Sequence, residues 1–471
     1  MDHNEAIRDA RQLGPVKMLI LGIQHLFAMF GATILVPILV QGYGLPLNIQ
    51  TTLFFAGVGT LFFHLCSRFQ IPAFLGSSFA FLGSMGAAFA GAASASAGYA
   101  GLLLGAVFAG LVYVVIAIVV KLVGVKWINK LMPPVVIGPT VALIGLSLAV
   151  NAVNDLKAGK VGVIVDGNFV STASPYVTLV IGIITLLSIF VFSVYGKKMM
   201  KLIPFIMGIL VGYVVASIFT VIGIKTGNVA LQVINFAAFK DMQIFAVPEF
   251  SFIKALQIVN TEASVFANIA ATIKESFKAI DGAFITTVAV AYVPVAFVVF
   301  AEHIADHKNL STIIDQDLLE EPGLHRTLLG DGIGSIAGAF FGGCPNTTYG
   351  ESVGCVAITR NASVVTITTA AIMCMVISFF GPFVTFLSSI PNCVMGGVCV
   401  ALYGFIAVSG LKMIQKVDLN ASKNLFVVAS ILIPGIGGLS VSFGKVTLTT
   451  IACALILGII TNTILAKGKE E

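Results

Sequence analysis

Leu19–Val40, Gly101–Val120 and Tyr176–Tyr195 each run without a single Asp, Glu, Lys or Arg. Each is long enough to cross a ~30 Å hydrocarbon core, and similar stretches recur along the chain. The 471-residue sequence is 58% apolar and only 10% charged, with a mean hydropathy of +1.03. A soluble domain needs roughly 25% charged residues to cover its surface, so lipid must replace water as the main solvent. The net charge of +5 does not point to nucleic acid, because the basic residues are scattered in ones, twos and threes between apolar segments. Their distribution speaks to topology instead. Met1–Lys17 mixes acidic and basic residues, and the first apolar segment exceeds the length of a signal-peptide core, so segment one is expected to stay in the membrane. Six cysteines (Cys66, Cys344, Cys355, Cys374, Cys399, Cys453) fall in or beside apolar segments, Cys393 lies at a segment edge, and no CxxC spacing occurs. They read as small packing residues, neither ligands nor disulfides.

Hydropathy punctuated by Gly, Pro and charge gives fourteen segments, near 18–40, 51–67, 72–90, 100–122, 134–153, 176–196, 202–224, 285–313, 324–342, 345–360, 364–388, 392–411, 424–442 and 446–466. With the N-terminus inside, eight of the 26 Lys and Arg lie outside: Lys157, Lys160, Lys225, Lys240, Lys254, Lys274, Lys278 and Lys445. Seven of those fall in two longer outer loops, 154–175 and 225–283, where the positive-inside rule is weakest. Both termini are therefore expected in the cytoplasm.

Three echoes join the two halves. Gln24-His25 in segment one matches Glu302-His303 in segment eight; Pro133, Gly138, Leu143 and Gly145 match Pro391, Gly396, Leu402 and Gly404; and Ile71–Phe79 matches Cys344–Glu351. Two seven-segment halves of odd span number must enter the membrane from opposite sides, which is an inverted repeat. Segments three and ten are poor helices: Pro72-Ala73-Phe74-Leu75-Gly76-Ser77-Ser78 and Pro345-Asn346-Thr347-Thr348-Tyr349-Gly350 hold breakers and β-prone polar residues at membrane depth. Open backbone there is tolerated only if buried in protein or lining a polar cavity. Two short extended strands, each leading into a half-helix, would bring helix N-termini together near the midplane, with a binding site between them. The fold class is thus an all-α polytopic membrane protein of 14 transmembrane segments, two inverted 7-segment repeats, with short strands in segments 3 and 10.

Glu302, Asp306 and Glu351 are the expensive residues, since a carboxyl at mid-bilayer costs ~2.5–3.5 kcal/mol even on mild insertion scales. Glu302 and Asp306 are one turn apart on a helix face, and Glu351 follows the break in segment ten. A hydropathy window alone ends segment eight near Ala301 and leaves Glu302 at the rim. The repeat argues otherwise: Gln24 lies several residues inside segment one, so its counterpart belongs inside segment eight, with that helix continuing through Asp306 towards Ile314. Gln24 and His25 are expected to support the site by hydrogen bonds, His64 and His307 to pack, and Asp331 to pair helices. His325-Arg326, after Pro322-Gly323, reads as a cytoplasmic helix start. No spacing fits a metal site, and nothing calls for a cofactor.

Gln24–Ala32, Gly76–Phe81, Ala301-Glu302-His303, Pro322–Arg326 and Asn346–Glu351 together resemble the bacterial uracil permease branch of the nucleobase–ascorbate transporter family, over nearly the whole chain. The family signature appears as Glu351-Ser352-Val353-Gly354-Cys355-Val356-Ala357-Ile358-Thr359-Arg360, with Ser352 in place of the usual Asn, and Asp306 stands where the uracil branch often has His. The resemblance implies a core domain (18–130 and 284–390, segments 1–4 and 8–11) and a gate domain (131–224 and 391–471, segments 5–7 and 12–14). They are flanked by a cytoplasmic N-terminus (1–17) and an extracytoplasmic loop (225–283). It further implies a homodimer in the bacterial cytoplasmic (inner) membrane and elevator-type movement of core against gate. Carried over by position, Phe79, Glu302, Tyr349, Gly350 and Glu351 bind substrate, Glu302 and Asp306 couple the proton, and Gln24, His25, Ser78 and Ser352 support the site.

The chemistry fits uracil as well. Its ring N–H groups need acceptors, which Glu302 and Glu351 supply, its carbonyls need donors, which the N–H groups around Phe79 and Glu351 supply, and the Phe79 ring offers a stacking surface. Desolvated carboxylates able to titrate, with no cage of further oxygen ligands for sodium, point to the proton as coupling ion. A xanthine or purine permease of the same family is the nearest alternative, although that branch usually has Gln where Glu351 stands. An anion carrier is disfavoured by three carboxylates. No Ser/His, paired-Asp or HExxH arrangement supports an intramembrane hydrolase.

Overall fold

The structure is a computed structural model and describes residues 6–42, 47–90, 92, 95–125, 127, 131–165, 168–197, 199–240, 242–248, 280–443 and 446–466. Most of the expected outer loop 225–283, from 249 to 279, therefore lies outside the described residues.

The fold is mostly helical. In chain order it runs α1 (Pro15–Gly42), α2 (Ile49–Cys66), β1 (Leu75–Ser77), α3 (Leu82–Ala90), α4 (Ala95–Val123), α5 (Pro134–Ser147) and α6 (Ala149–Asp155). A hairpin of β2 (Gly162–Val165) and β3 (Asn168–Ser171) precedes α7 (Pro175–Tyr195) and α8 (Pro204–Thr226). Then come α9 (Gly282–Ile314), α10 (Leu324–Phe340), β4 (Asn346–Thr348), α11 (Gly350–Thr359), α12 (Val364–Ile377), α13 (Gly381–Ser389) and α14 (Asn392–Ile414). A last pair, α15 (Ser422–Ile436) and α16 (Thr450–Leu465), is joined by the hairpin β5 (Val441–Phe443) and β6 (Val446–Leu448). Among the described residues seven helices are long and apolar enough to cross a membrane, and the chain is a multi-pass membrane protein.

Local chemistry sets the helix ends. The Asn48 side chain accepts from Thr51 N at 3.1 Å to cap α2, and Asp281 accepts from Phe284 N at 2.7 Å to cap α9. Pro175 and Pro204 open α7 and α8, where a missing N–H costs nothing. Segment eleven of the sequence reading divides into α12 and α13, because Gly381-Pro382 starts a new helix with Phe380 in extended conformation at its N-cap. Segment five divides into α5 and α6 around Leu148; nothing in its composition accounts for that break.

The chain forms two compact units. One comprises the described residues of Met1–Ile144, Pro248–Val376 and Ser409–Glu471, the other those of Gly145–Val247 and Ile377–Val408. In the first, α10 lies against both α2 and α4. Glycines allow the close approach: a β-carbon at Gly330 would stand 3.0 Å from Phe63 Cα, and one at Gly332 3.0 Å from Tyr113 Cβ. The N-terminal segment straps the same unit, with Ile7 N donating to Arg360 O (2.7 Å), Ala362 N to Ile7 O (2.9 Å) and Ala10 N to Ser363 Oγ (2.9 Å). In the second unit α7 and α8 pack through Gly208 and Gly212 against Ile189 and Thr185, and Tyr213 shares a 2.8 Å hydrogen bond with Ser389.

Candidate substrate and proton site

The site is built on a ribbon of two three-residue strands inside the first unit. β1 and β4 pair antiparallel, Leu75 with Thr348, Gly76 with Thr347 and Ser77 with Asn346, and Ser78 N extends the ladder to Pro345 O at 3.0 Å. A two-stranded ribbon leaves its outer edges unpaired, which is untenable among apolar helices unless side chains satisfy them. Thr60 on α2 does this for β1: its hydroxyl donates to Leu75 O (3.1 Å) and accepts from Leu75 N (2.9 Å). On the β4 side the Ser335 hydroxyl of α10 donates to Asn346 O, and Asn346 Nδ2 donates to Phe55 O at 3.0 Å. Tyr349 folds back over the ribbon and donates from its hydroxyl to Ser77 O at 2.8 Å. Gly76 has to be glycine, because a β-carbon there would enter the Tyr349 ring.

Each strand hands over to a helix. Ser78 precedes a short 3-10 turn, Phe79–Phe81, which continues into α3, and Tyr349 precedes α11. From the register, Ser78 lies opposite Pro345 and Tyr349 four residues further along the ribbon, so the two helix starts are about 13 Å apart. Neither start is capped by a side chain, which leaves the first-turn N–H groups of α11 available to an acceptor on a ligand.

α9 supplies the other wall. It packs against β4, the Phe79–Phe81 turn and α11. The helix runs unbroken to Ile314, which places Glu302 about 18 Å and Asp306 about 12 Å before its end. Glu302 lies inside the helix and away from its rim, and it is half-buried, as is Glu351 in the first turn of α11. Asp306 is buried; a β-carbon at Gly350 would stand 3.6 Å from Asp306 Oδ1, and Asp306 Oδ2 has no hydrogen-bond partner among the described residues. Glu302 and Asp306 both lie in the field of Glu351 and of Asp331, and Asp306 also in that of Glu302. Like charges so placed repel unless a proton or a donor stands among them.

The supporting residues converge on Ser352. Its hydroxyl shares a 3.0 Å hydrogen bond with His25 Nε2 of α1 and accepts from Phe74 N at 3.1 Å, so one buried oxygen ties α1, the approach to β1 and the first turn of α11. Gln24 and Ser78 are buried, and Phe79 lies buried at the start of its turn. All ten candidate site residues singled out in the sequence fall within this unit, around the ribbon and α9.

Thr348 has no individual role in the sequence reading, whereas the partners of Asp331, His64 and His307 become visible only here. Thr348 of β4 lies beside both acids, its side chain towards Asp306 and its backbone N–H towards Asp331. His303, next to Glu302, holds Asp331 Oδ2 through Nδ1 at 2.8 Å and Thr327 Oγ1 through Nε2 at 2.9 Å, pinning α9 to α10 with no exposure. His307 stacks on His303 at 4.1 Å and shares a 2.7 Å hydrogen bond with its carbonyl, whereas His64 bridges Thr368 and Ala73 O. Among the described residues no three His, Cys, Asp or Glu are gathered as metal ligands.

Residues 16–444 match the profile of the Permease family. The uracil permease of Bacillus subtilis (strain 168) is 36% identical over 481 residues, covering 99% of this chain and 96% of that protein. The uracil permease of Escherichia coli (strain K12) is 34% identical over 442 residues, or 93% of this chain and 89% of the other. Among solved structures, the transmembrane domain of a cyanobacterium bicarbonate transporter, BicA, matches with a TM-score of 0.58 at 15% identity, covering 98% of this chain and all of that one. The murine Slc26a9 anion transporter in its inward-facing state matches with 0.60 at 11% identity, covering 96% and 68%. At such identities the likeness is one of fold alone.

Proposed function

The chain belongs to the Permease family and resembles its bacterial uracil permeases across nearly its whole length, and we propose that it imports uracil across the cytoplasmic membrane by proton symport. The observation that carries this reading is the meeting of Glu302, Asp306 and Glu351 with the uncapped start of α11 beside the β1–β4 ribbon. Uracil is planar and neutral, with two N–H donors and two carbonyl acceptors. Glu302 and Glu351 accept from the ring N–H groups, the first-turn N–H groups of α11 donate to a carbonyl, and Phe79 stacks on the ring face, a contact worth ~1–3 kcal/mol for a base. Tyr349 and Gly350 border the ring, and Gln24, His25, Ser78 and Ser352 hold the two half-helices in place.

A proton shared among the three carboxyls relieves their repulsion and lets the neutral substrate enter, so substrate and proton bind as one load. Glu302 and Asp306 take that proton. Fourteen spans in two inverted repeats form a core (18–130 and 284–390) and a gate (131–224 and 391–471), and the core moves past the gate like an elevator within a homodimer. Both termini are cytoplasmic. Competition of radiolabelled uracil uptake by unlabelled bases tests the substrate: unlabelled uracil abolishes the signal and xanthine does not. The reverse order would move the chain to the purine branch.

A further inference from the structure

Three helix ends meet at one level of the first unit, and each carries a cation. Gly330 of α10 faces Phe63 and Cys66 of α2, while Gly332 faces Gly110 and Tyr113 of α4. Further along, Gly334 faces Gly59, and Ile336 faces Gly110, so α10 runs antiparallel to both neighbours. Counting from these contacts at 1.5 Å per residue, Arg68 just past α2 and Lys121 in the last turn of α4 come level with the first turn of α10. That turn holds His325 and Arg326. The fields agree with the count: His325 lies in those of Arg326, Lys121 and Arg68, and Cys66 in that of Arg326.

Among the described residues the cluster is uncompensated. Arg68, Lys121 and Arg326 form no ion pair among the described residues; Glu320 and Glu321 are exposed and unpaired with them, and Asp331 is held by His303. Three cations from three segments, with the His325 imidazole among them as a further donor, repel one another and call for an anion. The same ends carry Leu65, Phe69, Leu122 and Val123, exposed by 62%, 49%, 77% and 70%. The cations therefore stand where an apolar, lipid-facing surface gives way to water, the level at which phospholipid phosphates lie.

We propose that Arg68, Lys121, His325 and Arg326 form a binding site for the phosphate headgroup of an anionic phospholipid, whose acyl chains lie along Leu65, Phe69, Leu122 and Val123. A lipid satisfies both halves of the surface at once, which a free anion does not. Each basic residue adds about fivefold to the affinity for an anionic membrane surface.

Native mass spectrometry of the full chain in neutral detergent, with phosphatidylglycerol, cardiolipin or phosphatidylcholine added, tests the site. The parent is expected to retain the two anionic lipids and to shed phosphatidylcholine. The triple variant Arg68→Gln/Lys121→Gln/Arg326→Gln is expected to bind the anionic lipids at least tenfold more weakly, while Lys412→Gln/Lys416→Gln, elsewhere in the chain, changes little. If the triple variant does not fold, the exposed Lys121→Gln alone gives the reading as a smaller, about fivefold, loss. Equal retention by parent and variant overturns the proposal. So does inorganic phosphate that displaces the lipid at equimolar concentration, which makes the cluster a site for a free anion.

Discussion

Ser352→Ala removes one oxygen and leaves two buried partners, His25 Nε2 at 3.0 Å and Phe74 N at 3.1 Å, without their hydrogen bonds. Ser352 itself has no exposed surface, so water does not readily replace the hydroxyl. Each orphaned group costs about 1–3 kcal/mol, which sums to about 2–4 kcal/mol once partial relaxation of the helix is allowed. The loss falls on the joint between α1, the approach to β1 and the first turn of α11, so it appears both as stability and as misplacement of Glu351. Thermal unfolding in detergent should show a clear drop. Uracil binding by calorimetry should weaken tenfold or more, since 1.4 kcal/mol is a factor of ten. Ser352→Asn, which restores the residue usual in the family, should recover part of both. Unchanged melting together with unchanged uracil affinity in Ser352→Ala refutes the role given to this oxygen.

Glu302→Gln should abolish accumulation and greatly weaken uracil binding, because the amide loses the charge and brings an unwanted donor; proteoliposome uptake and equilibrium binding measure the two. Asp306→Asn should retain uracil binding but lose concentrative uptake, and an equal collapse of both contradicts the division of roles. Glu351→Gln should lose uracil binding, since a neutral amide accepts more weakly than a carboxylate at a helix N-terminus; an affinity equal to the parent's removes Glu351 from the ring contacts. Gly76→Ala should drive the Tyr349 ring off the ribbon and break its hydrogen bond to Ser77 O, seen as a lower melting temperature, whereas Gly350→Ala meets only an ordinary 3.6 Å contact at Asp306.

What could be read from the sequence followed from cost. Carboxyls and broken backbone are expensive in lipid, so Glu302, Asp306, Glu351 and the two Pro-led polar runs stand out from their neighbours without any structure. The hydropathy window misjudged the end of segment eight because Glu302, Asp306 and Lys308 lower its average, whereas α9 continues to Ile314. What stayed hidden is long-range and cheap-looking. Thr60 and Ser335 are common residues in apolar helices, and only the pairing of β1 with β4 gives their hydroxyls a task. That Asp331 pairs helices is legible from its cost in lipid, but its partner His303, 28 positions away, is not. The β2–β3 and β5–β6 hairpins passed unnoticed, the latter because Val441–Phe443 and Val446–Leu448 merge into the apolar segments on either side.

Proton coupling to uracil movement is the central claim, and radiolabelled uracil uptake into proteoliposomes under imposed gradients tests it most directly. Vesicles alkaline inside should accumulate uracil above the external concentration and lose that gradient on addition of a protonophore, with or without sodium. Accumulation that follows a sodium gradient at constant pH, and ignores a proton gradient, contradicts the account.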